Sequence, residues 1–204
     1  MDAQIQSPAP APRASQPRPL RLWLDWVLAA PAGAIAALAL MYFLIFTAKV
    51  LDPNLNEDRA FGWVFIPGMA LAITLGQMLV LSQFIRRPWG WLAANGLGWA
   101  VCLAGLAWVV PRVSAVDVTN LMPVFSLAVG TVLGLAQWLY LRRYFYRAGW
   151  WPVSSVLGWA MMGLVVGATF TSIFEVGLFG LAPAVFTGAA LAWMAGRPRE
   201  QRQR

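Results

Sequence analysis

Apolar runs about twenty residues long alternate along this chain with short segments that carry almost all of its charge. A helix that crosses the hydrocarbon of a bilayer needs about 20 mostly apolar residues. Six stretches reach that length: Trp26–Ala48, Gly62–Ile85, Trp91–Val110, Leu121–Leu141, Trp151–Phe170 and Val176–Ala195. The pattern predicts an all-α integral membrane protein with six transmembrane helices. Only Thr171 to Glu175 separate the last two spans, which predicts a tight helical hairpin.

The polar segments divide the chain further. Residues 1–20 are rich in Pro, Ala and Gln without apolar periodicity, and predict a disordered tail. Residues 21–196 hold the membrane domain, and 197–204 form a short basic tail. A signal peptide is the competing reading of the first apolar run. Trp26–Ala48 is longer than the roughly 7–15 residues of a signal core, so retention as the first span is expected.

Charge supplies the orientation, because Lys and Arg favour cytoplasmic segments. With the N-terminus inside and six spans, the inner segments hold Arg13, Arg18 and Arg21; Arg86 and Arg87; Arg142, Arg143 and Arg147; and Arg197, Arg199, Arg202 and Arg204. The outer segments keep Lys49, Arg59 and Arg112, beside Asp52, Glu57, Asp58, Asp117 and Glu175. Both termini are therefore expected in the cytoplasm. The net charge of +7 is explained by this topology and does not call for nucleic acid as a partner. The inner Arg clusters would also attract anionic lipid headgroups.

Composition strengthens the assignment. Apolar residues make up 60% and charged residues 11%, against roughly 25% charged in a soluble domain. Histidine is absent and Cys102 is the single cysteine, which removes His-dependent catalysis, Cys/His zinc sites, His-ligated haem and any intrachain disulfide. No ionisable side chain falls at mid-span, where ion-coupled carriers usually place one.

Two parts of the chain repeat. At an offset of sixty, Leu75–Val101 matches Leu135–Met161 through Gln77/Gln137, Arg87/Arg147, Trp91/Trp151 and the Leu-Gly-Trp-Ala runs at 97–100 and 157–160. Each repeat unit, about 62–110 and 121–170, is a span going inward, a basic turn and a span going outward. The copies share one orientation, so the repeat is parallel, unlike the inverted repeats of many secondary transporters. A third copy would arise by circular permutation. Trp26 precedes Gly33 by seven residues, as Trp91 precedes Gly98 and Trp151 precedes Gly158, and Gly188 and Trp193 loosely echo Gly134 and Trp138. That pseudo-threefold arrangement requires the first and last spans to be neighbours.

Several repeated side chains are candidates for more than packing. Gln77 and Gln137 sit about two turns inside the inner boundary, where a buried amide must find a hydrogen bond. Asn95 and Ser155 on the adjoining spans are at a suitable depth to pair with them inside each hairpin. These four residues would act as interhelical glue or line a polar pocket. Trp99 and Trp159 would pack over neighbouring glycines or face a flat apolar ligand. Small residues recur every four positions at Gly68, Ala72 and Gly76, at Gly130 and Gly134, at Ala94, Gly98 and Cys102, and at Gly163 and Gly167. They allow close helix contact within the chain or form a dimer face. Trp23, Trp26, Trp89, Trp91, Trp150, Trp151 and Trp193 fall at the inner headgroup level, with Trp63 and Trp108 near the outer one, the pattern of an aromatic belt.

Gly134-Leu135-Ala136-Gln137-Trp138, Arg142-Arg143, Trp150-Trp151 and Leu157-Gly158-Trp159 together resemble a group of uncharacterised bacterial multi-pass membrane proteins with repeated GxxQW…WW…LGW helical hairpins. The likeness covers about Gly62 to Ala195. The first copy departs from it, with Thr74 for the Gly, Met78 for the Trp and Ser82 for an Arg. The resemblance implies the hairpin fold and a bacterial inner membrane, and implies no activity.

With Asp25, Asp117 and Glu175 scattered, no catalytic, cofactor or metal site is expected, and the chain does not read as an enzyme. Two functions are consistent with the sequence. One is a structural, accessory or interaction subunit, with a membrane protein or a second copy as partner. The other is a carrier or channel for a small neutral or apolar solute.

Overall fold

The computed structural model describes residues 18–109, 112, 115–169 and 180–196, with side chains at all of these except 57–63, 66, 115–120 and 166–169. Among the described residues the regular structure is helical: α1 (Pro19–Leu51), α2 (Glu57–Ser82), α3 (Trp89–Val109), α4 (Ala115–Leu141), α5 (Trp150–Thr169) and α6 (Leu181–Ala195). Three segments, Pro19–Leu51, Trp89–Val109 and Leu121–Leu141, are long and apolar enough to cross a membrane. Pro67–Ser82 and Leu181–Ala195 are shorter apolar stretches. Most of the predicted tails at 1–20 and 197–204, and the turn at 171–175, lie outside the described residues.

The helix ends follow local chemistry. α1 starts at Pro19, inside the predicted tail, because proline at the first helical position has its φ already set and lacks only an N–H that would have no partner there. α2 stops at Ser82, short of the expected Ile85. Pro88 disfavours helical backbone at Arg87, and the chain turns instead, with the Phe84 and Ile85 N–H groups both donating to the Leu81 carbonyl. Gly180 enters α6 at φ 90°, a left-handed conformation that glycine adopts without steric cost.

Each helix packs on its neighbours in chain order, and α6 closes against α1, so the six helices form a ring. The first and last predicted spans are therefore adjacent. Contact is most extensive between α4 and α5 and sparsest between α2 and α3. Close approach recurs at related positions. A Cβ on Gly33 would lie 2.8 Å from the Ile73 backbone N on α2, and one on Gly158 would lie 2.5 Å from the Pro183 Cα on α6. On Gly98 the nearest atom is the end of the Leu133 side chain on α4, at 2.8 Å. Glycine here lets the backbones meet where a lipid surround would offer no hydrophobic drive.

The core is concentrated at the end of the ring that carries the two Arg-rich turns. Leu22, Trp26, Leu81, Ile85, Trp91, Leu141, Trp151, Leu191 and Met194 are all essentially inaccessible there. Toward the other end it divides into two smaller clusters, one around Val129, Leu133 and Met162 and one around Ala34, Ala37 and Met69. The outside is apolar instead of charged: Leu28, Ile35, Phe43, Phe46, Leu79, Leu97, Trp108, Val124 and Leu164 are all well exposed.

Candidate functional site: the tryptophan cluster and the cavity above it

Trp26, Trp91 and Trp151 come from α1, α3 and α5 and meet at the centre of the ring. Their ring centroids are 5.6, 5.6 and 5.7 Å apart, and each pair is edge-to-face, with interplanar angles of 68°, 86° and 86°. Such pairs put the positive edge of one indole on the negative face of the next and contribute about 0.5–1.5 kcal/mol each beyond burial. All three are buried, unlike Trp89 and Trp150 next to them in sequence, which are 68% and 58% exposed. The expected aromatic belt thus separates into two groups. Trp26, Trp91 and Trp151 plug the axis, and Trp89, Trp150 and Trp193 remain on the outside.

The register explains the division. In α3 the sequence begins Trp89-Gly90-Trp91 and in α5 Gly149-Trp150-Trp151, so only the tryptophan seven residues before the packing glycine occupies the same position in every copy. Four residues later stand Ala30, Asn95 and Ser155, and four after that Ala34, Trp99 and Trp159. The even helices match in turn. Leu81, Leu141 and Leu191 are each 0% exposed, and the residue four positions before them is Gln77, Gln137 or Thr187.

These residues make the hydrogen bonds of the interior. Trp151 Nε1 donates to Gln137 Oε1 at 2.8 Å, and Gln137 Nε2 donates to Asn95 Oδ1 at 2.8 Å. Asn95 Nδ2 in turn donates to the Trp91 carbonyl at 3.1 Å. Trp26 Nε1 donates to Thr187 Oγ1 at 3.0 Å, and that hydroxyl donates to the Pro183 carbonyl at 2.6 Å. Ser155 Oγ donates to the Gly130 carbonyl at 2.9 Å. The pairing expected within each hairpin is therefore replaced. Gln137 reaches back to Asn95 on α3, and Ser155 uses the α4 backbone exposed beside a glycine. Thr187, which sequence spacing did not single out, takes the glutamine's role toward Trp26.

One third of the pattern is incomplete. Trp91 Nε1 is buried and has no hydrogen-bond partner among the described residues. Gln77 stands fourteen residues before Trp91, the spacing that joins Gln137 to Trp151, yet its amide makes no hydrogen bond among the described residues.

A cavity of about 50 Å³ opens among the helices, lined in part by Gln77, Asn95, Gln137, Ser155, Trp99 and Trp159. All six residues expected at the site thus meet at one void. Trp99 and Trp159 touch each other edge-on, with centroids 5.7 Å apart, and Trp159 also packs against Gly130. A second hollow of about 220 Å³ lies between α2 and α3, lined by residues including Pro67, Thr74, Leu92, Trp99 and Leu103. Ala70, Thr74 and Trp99 border both spaces. In the neighbouring hairpin Gly130 and Gly134 stand in place of Ala70 and Thr74, and a Cβ on either glycine would meet α5 atoms at 2.9 Å.

The chain matches no known protein family, no curated protein and no solved structure.

Proposed function

We propose that this chain is a non-enzymatic, multi-pass membrane protein built as a pseudo-threefold ring of parallel helical hairpins, acting as a structural or accessory subunit. The third hairpin is formed by α6 and α1, the last and first helices in chain order. The observation that carries the structural reading is an interior whose polar side chains are for the most part bonded to the protein itself. Gln137, Asn95, Ser155 and Thr187 spend their polar groups on bonds between or within helices, and three buried indoles block the axis. The apolar outer surface supports insertion in a bilayer, since a water-soluble monomer rarely exposes so large a patch.

The orientation follows the arginines. The turns at 83–88 and 142–149 contain five of them and no acid, which favours the cytoplasmic side for that end and for both termini. Trp89, Trp150 and Trp193 then lie at the headgroup level, with Arg147 stacked 4.8 Å over the Trp193 ring. Anionic lipid headgroups and a membrane-protein neighbour or second copy are the partners of this reading. The resemblance to bacterial proteins points to the inner membrane.

The carrier reading has one observation in its favour, the cavity at Gln77, but a solute moving along the axis would have to displace the tryptophans. The test is purification from the native membrane in a mild detergent, followed by mass measurement of the intact assembly. A stoichiometric partner chain or a defined homo-oligomer is expected. A solitary monomer that moves a small solute into proteoliposomes would overturn the accessory reading.

A further inference from the structure

We propose that the open corner between the α4–α5 turn and α6 is a binding site for one anionic phospholipid, its phosphodiester on Arg147 and an acyl chain along the outside of α5. The inference rests on the membrane reading above and goes beyond it, naming one site where the arginines in general imply only diffuse attraction. A hollow of about 710 Å³ lies here, lined by Tyr146, Arg147, Gly149, Trp150, Val153 and Trp193. It stands where matched corners of the ring exchange large and small residues. At the α2–α3 turn a Cβ on Gly90 would overlap the Tyr140 ring, and the Tyr140 hydroxyl donates to the Arg87 carbonyl at 2.7 Å, so α4 fills that corner. At the α4–α5 turn Trp150 stands in place of Gly90, and α6 carries Ala190 in place of Tyr140. The Trp150 ring stays at the surface, and a Cβ on Gly149 would meet nothing within 4 Å.

The lining selects the ligand. Among the described residues Arg147 is the only charged side chain on the hollow, and it makes no ion pair. Its guanidinium lies 4.8 Å over the Trp193 ring, which holds the group while leaving N–H donors along its edge for two oxygens of one phosphate. No carboxylate borders the hollow to draw an ammonium or choline group, and the Trp193 face is already taken by Arg147. A net-anionic head such as phosphatidylglycerol therefore fits better than a zwitterionic one. Arg142 and Arg143 in the same turn add to the positive potential. The apolar half of the ligand has a track of its own. Val153, at the hollow and on the first turn of α5, begins an exposed stripe that continues through Leu157, Met161 and Leu164 at helical spacing. A head held at Arg147 sets its acyl chain on that stripe.

The test uses the full chain in a mild detergent, with bound lipid counted by native mass spectrometry. One phosphatidylglycerol is expected to bind more tightly than phosphatidylcholine, and a phosphatidylglycerol carrying a diazirine in its acyl chain should label α5 peptides. Arg147→Gln should weaken that binding roughly tenfold, the effect of one charge-assisted contact to phosphate. Arg87→Gln removes the same charge at the matched corner and should leave the binding unchanged. Gly149→Leu keeps every arginine and should displace the lipid by filling the hollow. Equal weakening by Arg147→Gln and Arg87→Gln, or equal affinity for the two lipids, would mean diffuse attraction and overturn the proposal. Glycerol phosphate that binds as tightly as the lipid would overturn the lipid as occupant. A protein that stays monodisperse without detergent and binds neither lipid would instead overturn the membrane reading.

Discussion

The α4–α5 and α2–α3 hairpins carry matched residues at an offset of sixty, yet one is closely packed and the other loosely. In the first, Gly130 and Gly134 bring α5 so close that Ser155 reaches an α4 carbonyl and Gln137 holds the Trp151 indole. In the second, Ala70 and Thr74 stand at those positions beside the hollow, and among the described residues Gln77 makes no hydrogen bond and Trp91 Nε1 has no acceptor. Two small side chains on one helix thus separate a hydrogen-bonded seam from an open cleft. The matched residues give the two hairpins a common frame, and the residues that differ between them decide how each packs.

The largest effect is expected at the tryptophan cluster that both hairpins share. Trp151→Ala should cost about 3–5 kcal/mol of stability, read as a lower midpoint of thermal unfolding in detergent. Trp91→Ala should cost less than Trp151→Ala, because its indole donates no hydrogen bond among the described residues and the tilted Tyr140 contact it alone gives up is weaker than that bond. An equal loss at both positions would mean that Trp91 is hydrogen-bonded in the membrane.

Helix approach comes next. Gly158→Ala should cost about 1–3 kcal/mol, since its Cβ would strike backbone on α6. Gly98→Ala should cost less, because the Leu133 side chain can turn aside. Denaturant titration of the two variants side by side checks the order.

The glutamines then give the sharpest contrast between the hairpins. Gln137→Leu should lose about 1–2 kcal/mol, and a double-mutant cycle with Asn95→Ala should reveal a coupling of roughly 0.6–1.7 kcal/mol. Gln77→Leu should leave stability almost unchanged in delipidated protein. Smallest of all, Ala70→Gly together with Thr74→Gly should draw α3 toward α2. A cysteine pair across the cleft, introduced in place of Leu71 and Ala100, would report the change as faster disulfide formation.

Much of this was legible in the sequence because long apolar helices write simple signals. The apolar runs and the alternating arginines gave the order of the helices, and the spacing of Trp26 to Gly33 anticipated a ring closed by the first and last of them. The partners of the glutamines were not legible. Asn95 and Ser155 were at a suitable depth, but depth does not say which neighbour a side chain faces around a helix, and Gln137 turned out to bridge two hairpins. Trp26, Trp91 and Trp151 read as belt residues because the headgroup level and the inner end of the core have the same depth. Their strict register with the glycines was the signal that separated them from Trp89 and Trp150. Thr187 was hidden because a threonine replaces a glutamine, and the α6 copy is offset from α4 by fifty residues instead of sixty.

The contact between α1 and α6 also sets a timetable. On the ribosome α1 is made first and α6 last, so Trp26 emerges long before Thr187, its hydrogen-bond acceptor. Until then the ring has a gap where α6 belongs. The α1 face that α6 covers therefore stays open while the four helices between them are made, and the Trp26–Thr187 bond is among the last contacts to form.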